Sequence, residues 1–269
     1  TEGIGDLFGG AREADITGNV AFTIEGGNIG RIFGGNNVSG NVAGSITVNI
    51  AENTTKYPCG LHAGSVYGGG QDAAYATTAP GANPVVNIIG GDIANDVFGG
   101  GLGETAIVTS NPTVTISGGS IGNNVFGGGS LAETDGSPTV NVTGGTITLG
   151  AYGGGALADV VGQTNVNIIS GTVGNAYGGG LGQHADAEVG KDAIAATVTG
   201  NANVTVSGGT TTNVFGCNNL NGSPKGDVSV TIKEAANVTN VYGGGNQAAS
   251  SVSPVVNIIG GTSDKVYGG

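Results

Sequence analysis

Val86-Asn87-Ile88-Ile89-Gly90-Gly91, followed by Asp96-Val97-Phe98-Gly99-Gly100-Gly101, is answered 28 residues later by Val114-Thr115-Ile116-Ser117-Gly118-Gly119 and Asn124-Val125-Phe126-Gly127-Gly128-Gly129. Alternation of β-branched and polar residues with period two is a strand signature. The glycine pair after it permits the sharp corner that a side chain resists, and the aromatic before the next glycine cluster ends a second short strand. One such unit has no layer against which to bury its Val and Ile. Stacked copies supply that layer: backbone groups pair along the stack, and like side chains fall into columns about 4.8 Å apart.

Outward from this stretch, the aromatic before glycine recurs at ten positions: Phe8, Phe33, Tyr67, Phe98, Phe126, Tyr152, Tyr177, Phe215, Tyr242 and Tyr267. Their spacings run from 25 to 38 residues, and 25 occurs three times. We read 25 as the bare coil and the excess as loop insertion. The expected fold is all-β: one continuous parallel β-solenoid over residues 1–269, a right-handed β-helix of about ten coils. Val86, Val114, Val140 and Val166 should form an inward column, and Asn87, Thr115, Asn141 and Asn167 an outward one. The ten aromatics should form one ladder along the side. The stretches 53–65, 101–112 and 181–199 are expected as insertions on one edge, made negative by residues such as Asp72, Glu104, Asp159 and Asp186.

Composition supports a repeat rather than an ordinary globule. Fifty-eight glycines, no Trp or Met and 10% charged residues depart from a mean in which about a quarter are charged. Glycine does not recur at every third position, which excludes collagen, and periodic Val and Ile argue against disorder. Nineteen acids against seven Lys and Arg give a charge of −12, which disfavours nucleic acid and anionic membranes as partners. No apolar run reaches the length of about eighteen residues that would suggest membrane insertion. Cys59 and Cys217 lie five coils apart, about 24 Å, too far for a disulfide.

The absence of Met suggests a processed product or an excised segment. Residues 4–10 repeat the element that closes at Gly269, so the rod is expected to continue end to end. That continuation would be either a longer array or a filament of copies.

Val-Asn-Ile-Ile-Gly-Gly followed by Asn-Val-Phe-Gly-Gly-Gly resembles the glycine-rich parallel β-helix repeats of bacterial secreted and cell-surface proteins, such as adhesins and autotransporter passenger domains. The resemblance covers essentially the whole chain. It implies an extracellular or cell-surface location, and a host or microbial surface protein or glycan as partner. It carries no functional residues to transfer.

No catalytic constellation stands out. Polysaccharide-cleaving β-helices need clustered carboxylates with calcium and a base, or paired acids at hydrolytic separation, and this chain has no adjacent Asp pair. His62 and His184 fall four coils apart, about 19 Å. The chain is therefore expected to be non-catalytic and free of cofactors. Asp186, Glu188 and Asp192 are the calcium candidates, although a solvated acidic loop is the preferred account. The ring ladder could offer a platform to sugars, and the outward Thr and Asn columns could bind ice. A packed stack and a stabilising polar ladder are preferred to both. A structural or adhesive rod ranks first, a carbohydrate-binding or polysaccharide-cleaving β-helix second, and an ice-binding solenoid third. A groove beside the insertions that gathered three or more carboxylates with a Lys or Arg would favour the second.

Overall fold

A computed structural model describes residues 3–269. The chain runs through β1 (Ile4–Phe8), β2 (Val20–Ile24), β3 (Gly27–Phe33), β4 (Ile46–Ile50), β5 (Leu61–Tyr67) and β6 (Pro84–Ile88). Next come β7 (Asp92–Ile93), β8 (Val97–Phe98), β9 (Thr113–Ile116), β10 (Ser120–Ile121), β11 (Asn124–Phe126), β12 (Thr139–Tyr152) and β13 (Thr164–Tyr177). The last are β14 (Ala202–Val206), β15 (Thr210–Phe215), β16 (Val228–Ile232), β17 (Asn237–Tyr242), β18 (Val255–Ile258) and β19 (Lys265–Tyr267). Strand partners pair in parallel from coil to coil, and the architecture is a parallel β-solenoid of about ten turns.

Two long strand columns make up most of the wall. The first stacks β2, β4, β6, β9, the front of β12, the front of β13, β14, β16 and β18. The second begins with β1, β3 and β5 and ends with β15, β17 and β19. The two columns meet at a corner where Gly91, Gly119, Gly145, Gly171 and Gly209 take φ values from 72° to 91°, a region costly for any residue with a Cβ. In β12 and β13 the strand runs round this corner with register irregularities.

The inward column is as the alternation dictates: Val48, Val86, Val114, Val140, Val166, Val204 and Val230 are all buried. In the second column Ile32, Val66, Val97, Val125 and Val214 do the same from the other wall, and both sets belong to one hydrophobic core.

A third side closes each coil, and the sequence did not announce it. Single-residue parallel bridges link Ile16 to Val42, then Tyr75 to Val108, Thr134, Val160 and Val198 in turn. Stretch 101–112 is therefore partly wall, with Val108 fully buried. Within 181–199 an antiparallel hairpin projects, bridged at Gln183–Ile194 and Asp186–Lys191, before Val198 rejoins the wall. The third expected insertion needs correction. Residues 51–60 form the loop, between β4 and β5 at the first corner, while 61–65 are already strand. The insertions thus leave the rod at two different corners. The excess over 25 residues fixes how much chain is inserted in a coil and not where.

Candidate functional surfaces

Phe33 follows Ile32, so alternation turns its ring away from the core and onto the outer side of the second column. The ten rings form one unbroken stack with centroids 4.5–4.9 Å apart and planes within 19° of parallel. Leu102, Ala156 and Leu181 pack against them, and every ring from Phe33 to Phe215 is buried. This geometry bears on the sugar-platform idea. A sugar stacks on a ring face, and each internal face is already covered by the next ring. Only ring edges remain for a ligand, except at the two ends of the stack.

Tyr and Phe alternate freely because the para position points to a polar margin. The Tyr152 hydroxyl accepts a hydrogen bond from Asn219 Nδ2 at 2.7 Å. Burial pushes the Tyr152 and Tyr177 phenols up, Tyr177 to about 12, with hydrogen bonds from neighbouring side chains opposing part of that rise.

Beside the stack runs the residue two before each aromatic. Asp6 and Arg31 occupy this row in adjacent coils and form a bidentate pair at 2.7 and 2.6 Å. That bond holds the Asp6 carboxyl below its usual range. Further along, Asp96 Oδ1 accepts from the backbone and side-chain N–H groups of Asn124 at 3.0 and 3.1 Å. A cleft of about 420 Å³ opens here. Its floor includes Phe98, Phe126 and Ala156, Asp96 and Asn124 line one part, and Gln183 and Lys191 enter from the projecting hairpin. The lining carries one carboxylate and one ammonium group, fewer acids than a carbohydrate-cleaving site of the kinds weighed above requires.

The calcium candidates do not converge. Asp186 sits opposite Lys191 in the hairpin, and its carboxylate accepts from the Glu188 backbone N–H at 3.1 Å. The backbone carbonyl of Asp192 accepts from Gln183 Nε2 at 2.9 Å. Among the described residues no three His, Cys, Asp or Glu side chains group closely enough to hold a metal ion. His62 pairs instead with Asp92 of the next coil at 3.4 Å, and His184 lies against Gln247 at 3.0 Å. Cys59 is exposed and Cys217 buried, and both are free.

Two buried asparagines went unnoticed in the sequence. Asn36 and Asn218 stand where most coils carry the third glycine of the cluster. Asn36 Nδ2 donates to the carbonyls of Ala14 and Ser39, and Asn218 Nδ2 to those of Ala196 and Asn221. Each clamps a turn to the third side of the preceding coil. Their signal was the departure from glycine itself.

The outer face of the first column is the most regular surface. Asn87 donates to Asn49 at 2.9 Å and Asn167 to Asn141 at 3.0 Å. The amides thus form a ladder along the rod. Comparison of the chain with protein-family models, with curated proteins and with solved structures finds no match.

Proposed function

We propose that this chain is a non-catalytic structural or adhesive rod of an exported, surface-displayed bacterial protein. The observation that carries the reading is the unbroken register of the ring stack, from Phe8 to Tyr267, beside continuous strand columns. Such a stack spends its sequence on length and stiffness, about 43 Å for nine steps at the parallel-strand spacing. Contacts with a host or microbial surface would run through its loops and regular faces. Axial continuation, by further coils of a longer chain or by copies, belongs to the same proposal. Exposed Ile4 at one end and exposed Val255, Val266 and Tyr267 at the other would be covered by it.

The test is threefold: electron microscopy for stiff rods, proteinase K digestion for resistance, and adhesion of coated beads to glycan and protein matrices. Stiff, resistant and adherent particles are expected. Release of products from a polysaccharide panel would overturn the non-catalytic reading.

The cleft at Asp96 and Lys191 favours one second reading, a glycan-binding solenoid. Ring edges, amides and a single charge of each sign suit a neutral sugar chain better than an ionic ligand. A glycan array followed by calorimetry on Asp96→Ala and Lys191→Ala variants distinguishes it from the first.

A further inference from the structure

The first-column face differs in charge from the rest of the molecule. Nine strands, from β2 to β18, each present two outward positions, in rows running from Ala21 to Val255 and from Thr23 to Asn257. None of these eighteen positions is charged, in a chain of net charge −12. They are Asn, Thr, Ser, Val and Ala. The amides are tied along the rows: Asn49 to Thr23 at 3.3 Å, Asn87 to Asn49, Asn167 to Asn141, and Asn203 to Asn165 at 3.3 Å.

Those ties have an energetic consequence. A side chain already fixed by its row neighbour loses little further freedom when covered, so the ordering cost of a contact falls. The amide groups that bond within the row have part of their hydrogen-bonding capacity satisfied before water leaves. Copies of a strongly acidic chain repel one another, and this neutral face is where that repulsion is least.

We propose that two copies of this chain pair laterally through this face, their Asn and Thr ladders interdigitating as a dry zipper. Identical columns at the same 4.8 Å repeat make the face self-complementary, as in stacked-sheet interfaces. Nine strands extend about 38 Å, and the two rows with their two flanking rows, where Glu25, Asp227 and Lys233 place the only charges at the margin, span about 20 Å. The product, roughly 770 Å², matches the roughly 800 Å² per partner of a standard stable interface. Ile89 and Ile169, each 52% exposed, stand at the margin and add apolar contact. A contact of one face with itself has two-fold symmetry and closes at the dimer. β12 is the fifth of the nine strands, so it faces its own copy at the centre of the contact whether the rods run parallel or antiparallel.

The experiment is light scattering with sedimentation equilibrium on the purified chain from about 1 to about 100 µM, with circular dichroism on every variant. A lateral dimer is expected, and any end-to-end growth of it would be the axial continuation proposed above and should survive the lysine substitutions. Thr115→Lys and Thr231→Lys, each placing charge on the face, should raise the dissociation constant at least about tenfold, while Thr212→Lys on the second column leaves it unchanged. In a Cys59→Ser background, a bis-maleimide linker long enough for the roughly 10 Å between packed sheets should join two Thr139→Cys chains covalently whatever the folding of the lysine variants. A monomer at about 100 µM, a dimer indifferent to folded Thr115→Lys, or absence of the Thr139→Cys cross-link overturns the proposal.

Discussion

Tyr152 and Tyr177 stack with centroids 4.5 Å apart, the shortest step in the ladder, and with planes 7° from parallel. Both phenols are held in the neutral form chiefly by burial. In the unfolded chain tyrosine ionises near pH 10, whereas Tyr177 in the folded rod ionises at about 12. Below about pH 10 both states are neutral and the stability is fully present. Between 10 and 12 the unfolded state loses its proton first, so stability falls as pH rises. A difference of two units corresponds to about 2 to 3 kcal/mol. Urea midpoints at pH 8, 10 and 11.5 should decline in that order, and absorbance at 295 nm should show an increment of phenolate, from the buried rings, that appears only on unfolding.

The ladder's interior and its end should respond differently to truncation. Phe126 is 1% exposed and touches a ring on both faces, so Phe126→Ala should cost about 3 to 5 kcal/mol. Tyr267 is 44% exposed with one ring neighbour, and Tyr267→Ala should cost about 1 kcal/mol or less. Phe126→Tyr should be tolerated, since Phe126 lines the cleft where a hydroxyl can reach water. Chemical denaturation of the three variants checks the order.

The thiols offer a test of burial. Cys59 is exposed in the loop between β4 and β5, whereas the Cys217 thiol is buried, raised by that burial, and 3.4 Å from Ser250 Oγ. An aromatic disulfide reagent should titrate one thiol per native chain within minutes and the second only in denaturant. Reductant should leave the melting temperature unchanged, because both cysteines are free.

Some of this was legible because the relevant signal repeats. Val86-Asn87-Ile88 tells its neighbours which way to point, and ten copies of aromatic-glycine fix the stack and its register. The third side was not legible, since each coil contributes a bridge of one residue, such as Val108 or Thr134, and one residue has no period. The cleft was hidden for another reason. Asp96 and Lys191 are brought together only because the hairpin within 181–199 folds over the ring stack, a long-range arrangement with no local pattern.

The first glycine after each aromatic gives the sharpest test of why this repeat is glycine-rich. Gly99 does not have positive φ, so backbone conformation does not require glycine there. Space does: a Cβ on Gly99 would collide with the carbonyl oxygen of Gly127 in the next coil and come to 3.0 Å from Pro112 Cβ. The obstacle is backbone that cannot retreat, because Gly99 N donates to Phe126 O at 2.9 Å and Gly100 N to Gly128 O at 3.1 Å. The same collision recurs at Gly68 with Gly99, at Gly127 with Gly153 and at Gly178 with Gly216. Gly99→Ala should therefore destabilise the rod by about 3 kcal/mol or more, at the upper end of what one added methyl does in a packed interior. Gly90 provides the interior control: it has no positive φ, and the nearest atoms to a Cβ there belong to Glu52, at 3.3 Å and beyond. Gly90→Ala should cost about 1 kcal/mol or less, because the Glu52 side chain can give way and the stiffer unfolded chain offsets part of the crowding. Urea unfolding of both variants decides it: equal effects would mean that close approach between coils is not what holds glycine in this repeat.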